Sequence, residues 1–252
     1  MTFKLEGKKV FITGSTSGIG LVIAKKMQSF GCLVAINSSN KSSLLKANKE
    51  FEKPVLPILG DMSVEKDAKK AIEEFIEKYK ILDILICNIG SGKSAKPLNE
   101  NSNDWEESFA INLKSATNVI SAAKSYLSNT SGSITCISSI CGNRMIENAP
   151  LTYSSMKSAL NTYVKNSSFY LAKNKIRINA IAPGNVFFRG SIWEKKLQEN
   201  PKKVTEMLKE KVPLNKFIIP EEIADAVAFI SCPLASSITG QILNVDAGQS
   251  IL

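Results

Sequence analysis

The chain has 252 residues, 44% of them hydrophobic and 22% charged, the balance of a soluble globular protein whose length suits one α/β domain. No apolar run approaches bilayer-spanning length, and the N-terminal "MTFKLEGKKVFITG" enters strand-like sequence without a secretory pattern, so no membrane partner and a cytoplasmic setting are expected. The net charge of +9 raises nucleic acid as a partner, but only Arg144, Arg177 and Arg189 among the 32 basic residues are arginine and the lysines are scattered; nucleic-acid readers cluster arginine with aromatics, so that class is set aside.

In chain order, "KKVFIT" (8–13) reads as a strand, and Ile19, Val22, Ile23 and Met27 follow at helical spacing up to Gly31. "CLVAIN" (32–37), "VLPIL" (55–59), "LDILIC" (82–87), "GSITCIS" (132–138), "IRINAIA" (176–182) and "GQILNV" (240–245) are further strands. Helical segments lie near 63–79, 104–127, 152–173 and 220–231. Nearly continuous apolar strands alternating with helices predict a doubly wound parallel sheet of seven strands in a single domain, residues 1–252. One long interruption, about 185–216, is helical in part and has the length of a substrate lid.

The glycine-rich "TGSTSGIG" (13–20) lies between the first strand and the first helix. Gly14, Gly18 and Gly20 permit a sharp turn and close approach of a ligand. The helix start then offers free N–H groups and a positive dipole end to a pyrophosphate. The flanking strand and helix favour this over an unliganded turn. The second strand ends in Asn37, Ser38 and Ser39 with Lys41 beyond, and has no carboxylate. An acid there would bind the ribose 2′-OH of NAD; without one the barrier to a 2′-phosphate is gone. NADP(H) is expected over NAD(H), which stays as the alternative.

The chain contains no histidine, the usual proton carrier near neutral pH. "YSSMK" offers a substitute, since Tyr153 and Lys157 fall on one helix face. A nearby ammonium lowers a phenol's pKa, and a tyrosine so tuned can act as acid or base. The bland alternative is an ordinary polar helix surface. The five cysteines show no zinc or CxxC spacing, so no metal site is expected.

These stretches together resemble the short-chain dehydrogenase/reductase family, classical type, near its 3-oxoacyl-carrier-protein reductase-like members. T-G-x-x-x-G-x-G is its nucleotide loop. "LDILICNIG" (82–90) is similar to its L-D-x-L-V-N-N-A-G, keeping Asn88 and Gly90 but with Cys87 and Ile89 as departures. "NDWEESFAINLKS" (103–115), "GSITCISSICG" (132–142), "YSSMK", "NAIAPGNV" (179–186) and the 220–248 segment follow in order. The resemblance implies interconversion of a ketone and a secondary alcohol by hydride transfer. Tyr153 would be the acid/base, Lys157 would tune it and hold the nicotinamide ribose, Ser139 would bind the substrate oxygen, and Asn112 would hold a water leading from Lys157 to solvent. The implied cofactor contacts are Gly14, Ser15, Ser17, Gly18, Ile19, Gly20, Asn37, Ser38, Ser39, Asp61, Met62, Asn88, Gly90, Pro183, Gly184 and Val186. Two departures stand out. Ser139 and Tyr153 are one residue further apart than usual, and Phe188 occupies the place of a small hydroxyl residue. Arg144, Arg189 and Trp193 flank the implied site and suggest an anionic or carrier-linked small-molecule substrate, with ordinary surface arginines equally open. A homo-oligomer, tetramer or dimer, is expected from the apolar content of the helices near 104–127 and 152–173 (Ile111, Ala116, Ile120, Ala123, Phe169, Leu171). The rival function is a catalytically silent nucleotide-binding regulator of the same fold.

Overall fold

Short apolar runs without period-two alternation form strands that must be covered on both faces, and the chain supplies a helix after nearly every one. A computed structural model describes residues 3–251. Its strands are β1 (Lys9–Ile12), β2 (Leu33–Ser38), β3 (Leu56–Leu59), β4 (Ile84–Cys87), β5 (Ser133–Ile137), β6 (Arg177–Pro183) and β7 (Ile242–Val245). They make one sheet in the order β3-β2-β1-β4-β5-β6-β7, with every neighbouring pair parallel. All seven strands expected from the sequence are present with slightly shifted ends.

The helices are α1 (Gly18–Ser29), α2 (Lys41–Asn48), α3 (Glu65–Tyr79), α4 (Ser102–Phe109), α5 (Ser115–Ser128), α6 (Leu151–Ala172), α7 (Ile192–Glu199), α8 (Pro201–Lys211) and α9 (Pro220–Ser231). In α1, Gly20, Ile23, Ala24 and Met27 face the sheet at three- and four-residue spacing. α9 begins with Pro220, and the Glu222 carboxylate accepts the Ile219 N–H at 3.0 Å. α2 was not expected, because only Leu44 and Ala47 on it are buried and so small a stripe leaves no periodic signal. The helix expected near 104–127 is divided: a π-helical turn, Ala110–Lys114, joins α4 to α5.

Two apolar layers sandwich the sheet. One holds α1 and α9 residues (Ile23, Met27, Ile223, Val227) under β1, β2 and β4 side chains. The other holds α3, α5 and α6 residues (Ile72, Phe75, Val119, Leu160, Val164). The buried Asp83 ties the start of β1 to β4, accepting from Lys8 Nζ at 2.8 Å and the Lys9 N–H at 2.9 Å. Between β6 and α9, the stretch expected as a lid forms α7 and α8, closed at its base by a parallel bridge from Val186 to Ile218. Among the described residues no helix is long and apolar enough to cross a membrane.

Candidate active site

Because all strands run the same way, the C-terminal ends of β1, β4, β5 and β6 form one rim of the sheet. The segments after β1 and β4 pack on opposite faces, which opens a crevice between those two strand ends. The glycine loop sits there. Buried Ser15 donates to the Ile12 carbonyl at 2.7 Å and accepts the Asn37 N–H at 3.0 Å. Asn88 Nδ2 donates to the carbonyls of Thr13 and Gly14 at 3.2 and 2.8 Å. Its own N–H reaches Thr13 Oγ1 at 3.1 Å. The loop and α1 pass so closely that a Cβ on Gly20 would lie 2.4 Å from both Asn88 Nδ2 and the Gly14 carbonyl oxygen. Exposed Ser17 is the N-cap of α1, yet its side chain makes no capping bond, and the first turn carries no acid. That turn, with Ile19 half-buried beside it, leaves N–H groups and a positive dipole end for an external anion. The donor set fits the diphosphate of a dinucleotide.

The second strand's end requires a correction. Asn37 is fully buried. Its Oδ1 accepts the Gly14 N–H at 3.2 Å, and its Nδ2 donates to the carbonyls of Ile58 and Gly60 at 3.2 and 3.0 Å. Its amide braces the phosphate loop and is not free for a ribose. Half-buried Ser38 and exposed Ser39 and Lys41 remain at the surface. Met62 buries its side chain in the α3–α5 layer, and its carbonyl accepts from Asn118 Nδ2 at 3.1 Å. Asp61 is exposed beside it, its carboxylate accepting the N–H and hydroxyl of Ser63 at 2.9 and 2.8 Å.

Further along the rim, β5 ends in two serines with different surroundings. Ser138 is buried and donates to Asn161 Oδ1 at 2.6 Å. The Ser139 hydroxyl accepts the Cys141 N–H at 3.2 Å, starting the short turn Ile140–Gly142, and lies near the Tyr153 phenol. α6 starts at Leu151, so Tyr153 and Lys157 lie one turn apart, with Asn161 a turn beyond. Lys157 is 2% exposed. Its Nζ donates to the Ile137 carbonyl at 2.9 Å and lies 5.7 Å from the centre of the Tyr153 ring. Gly90 fits against it: a Cβ there would lie 2.8 Å from Lys157 Nζ and 3.2 Å from Asn112 Oδ1. Asn112, within the π turn, accepts the Ser91 N–H at 2.9 Å and donates to the Ser91 carbonyl at 3.0 Å and Ser108 Oγ at 3.2 Å. The extra residue between serine and tyrosine is absorbed in the loop between that short turn and α6.

The electrostatics differ from expectation. Tyr153 is pushed up to about 12, chiefly by burial, with the neighbouring Ser139 hydroxyl pulling the other way and Cys141 adding to the rise. Lys157 is lowered to about 8 by burial. Burial thus outweighs what would lower the phenol, and the Lys157 ammonium donates to the Ile137 carbonyl.

At the end of β6, the Gly184 N–H donates to the Val245 carbonyl at 3.0 Å, holding Pro183 and Gly184 against β7, and Val186 is buried in the bridge to Ile218. The ring of Phe188 meets the phosphate loop at Gly18. The three residues flanking the site diverge. Arg144 donates to the Gln249 carbonyl at 3.3 Å and lines a polar groove with Asn143, Lys165 and Asn244. Arg189 is exposed. Trp193 packs on Phe217 at 5.4 Å, with Lys196 over its ring at 4.5 Å. The sequence reading missed Asn161, whose Nδ2 also donates to Asn143 Oδ1 at 2.8 Å. Its place four residues after Lys157 on one helix was the available signal.

A family model described as enoyl-(acyl carrier protein) reductase matches residues 14–250. The 3-oxoacyl-[acyl-carrier-protein] reductase FabG of Thermotoga maritima is 31% identical over 98% of this chain and 100% of its own length. A 7α-hydroxysteroid dehydrogenase complexed with NADH and 7-oxo glycochenodeoxycholic acid is 26% identical, with a TM-score of 0.88 over 98% of this chain and 96% of that one. The L-sorbose reductase of Gluconobacter frateurii, complexed with NADPH and L-sorbose, shares the fold at a TM-score of 0.92 and 24% identity over 100% of both chains. With the family model spanning nearly the whole chain and a relative matched over its full length, this protein belongs to the short-chain dehydrogenase/reductase family, NAD(P)-dependent oxidoreductases that interconvert carbonyl and alcohol groups.

Proposed function

We propose that the protein reduces a ketone, with a 3-oxoacyl thioester as the first substrate class to test, and that it uses NADPH. Tyr153 is the acid, Ser139 binds the substrate oxygen, Lys157 holds the nicotinamide ribose, and Asn112 keeps the water path beside it. The observation that carries this reading is Tyr153 one turn before buried Lys157 on α6, with the ammonium 5.7 Å from its ring centre, on the rim that also bears the uncapped start of α1. The acyl substrate is supported by the name of the Thermotoga maritima relative, and the α7–α8 excursion is the lid over it. The cofactor supplies the hydride. As negative charge grows on the substrate oxygen, the Ser139 hydroxyl and the Tyr153 phenol both donate to it, and the phenol's proton crosses.

A phenol held near 12 is fully protonated at neutral pH. It is charged for reduction and wrongly protonated for oxidation. Reduction finds its proton in place, and oxidation needs a cation brought in with the oxidised cofactor or an alkaline medium. The preference for NADP(H) rests on the β2 end, where Ser39 and Lys41 are exposed and no acid stands. Five free cysteines suit a reducing, cytoplasmic setting.

The test follows NADPH absorbance with 3-oxoacyl thioesters and simple ketones. Tyr153→Phe should lower kcat by about 10²–10⁴ and leave NADPH affinity intact. Near-wild-type turnover in that variant would remove Tyr153 from the chemistry. Nucleotide binding without turnover on any carbonyl would favour a regulatory protein. Fluorescence titration should give a lower Kd for NADPH than for NADH, and Lys41→Ala should narrow the gap; equal affinities would overturn the preference.

A further inference from the structure

We propose that Phe188 is a gate on the cofactor's diphosphate, so that nucleotide entry requires the lid to move. The inference rests on the reading that the start of α1 holds the dinucleotide. Phe188 lies just past β6, at the base of the lid. A Cβ built on Gly18 would lie 3.0 Å from its Cε2 and 3.1 Å from its Cζ. The ring edge is therefore seated on the first residue of α1, where the helix has no capping side chain. Gly18 has φ +53° and carries no side chain to hold the ring away. The ring is only half-buried and packs against the edge of the α1–α9 apolar layer.

A phenyl ring neither donates nor accepts as an anion needs. With the ring against Gly18, a diphosphate settling on the α1 first turn meets hydrocarbon at its first residue and has to displace the ring. The backbone around the ring shows what moves with it. The Phe188 N–H donates to Ser191 Oγ at 3.3 Å, and the Phe188 carbonyl accepts the Ser191 N–H at 2.9 Å. Ser191 caps α7 by accepting the Glu194 N–H at 3.2 Å. Moving the ring off Gly18 thus pulls on the first turn of α7, and Gly190, at φ +87° with open space around it, provides the hinge. Nucleotide binding and lid position become one equilibrium. The ring-on state lowers apparent affinity by the fraction of molecules with the ring away.

The experiment is stopped-flow binding of NADPH to the intact protein, read by energy transfer from tryptophan, with wild type, Phe188→Ala and Phe188→Leu. If the ring-away state is about a tenth of the population, removing the ring should speed association and tighten binding about tenfold. Leucine, which keeps apolar bulk but no ring edge, should fall between. Adenosine 2′-monophosphate, which lacks the 5′-diphosphate, should bind all three alike; a general loosening of the fold would change its binding as well. Unchanged NADPH association in both variants, or equal acceleration for adenosine 2′-monophosphate, overturns the gate. Failure of wild type to bind any nicotinamide nucleotide would instead refute the reading beneath it.

Discussion

Lys157 shows how a single buried charge is both needed and costly. Its pKa falls from 10.5 to about 8 because water is excluded from its ammonium. In the unfolded chain the amine keeps its proton up to the ordinary lysine value, so between about 8 and 10.5 the unfolded state binds more protons and stability rises with pH. Below that window the full penalty applies, about 3 kcal/mol at most from a shift of this size. Lys157→Met should therefore melt at a higher temperature than wild type at neutral pH. Its advantage should shrink as pH climbs through the window. Taking the difference between the two Tm–pH curves cancels the tyrosine and cysteine titrations common to both. A constant difference across that range would mean the ammonium is not desolvated. Loss of turnover in the same variant would show stability withheld for function.

The π turn at Ala110–Lys114 makes the case at the level of an element. A π turn inserts a residue into a helix and turns the following face. Here Asn112 clamps both backbone groups of Ser91 and the hydroxyl of Ser108. Asn112→Ala removes these three hydrogen bonds, worth on the order of 1 kcal/mol each. Urea unfolding should show a loss of about 2–3 kcal/mol; a loss within a few tenths would mean the loop after β4 is held elsewhere. The sequence hid this feature because "FAINLKSA" has unbroken helical composition. It hid α2 because only Leu44 and Ala47 on that helix are buried, although Asn40, accepting the Ser43 N–H at 2.9 Å, marks its start. The strands were legible because a sheet covered on both faces demands unbroken apolar runs. Ser139, Tyr153 and Lys157 were legible because two short motifs carry them. What motifs cannot carry is rotamer. The amide of Asn37 turned inward to the loop, and the ammonium of Lys157 turned to a carbonyl rather than toward the phenol.

At the scale of the molecule, the apolar residues expected to pair subunits differ in burial, with Ile111 half-buried. Ala116, Ile120, Ala123 and Leu171 are buried within the chain's own core and leave nothing to share. Phe169 and Tyr170, stacked edge to face on α6, are 65% and 66% exposed, and Trp105, Phe109 and Leu151 are exposed on α4 and α6. We propose that this α4–α6 face meets a second copy. Light scattering should give a dimer or tetramer mass at micromolar concentration, and Phe169→Asp should lower it. A monomer mass in wild type would reject the proposal. Each copy carries +9, so association should strengthen with salt as like charges are screened.

The strand order also sets a timetable for synthesis. β1 acquires its second neighbour only when β4 exists, and the register pairs Val10 with Ile84. At the usual pace of about 5–20 residues per second, the ribosome delivers β4 roughly 4 to 15 s after β1. Through that interval a strand that will lie inside the sheet is an open edge of largely apolar sequence, "KVFI", the kind of template that pairs with other chains. The nascent protein is thus most exposed to misassembly before Asp83 has been made to hold Lys8 and Lys9 in place. Chaperone dependence should fall on the first third of the chain, although the finished fold buries Val10, Phe11 and Ile12 completely.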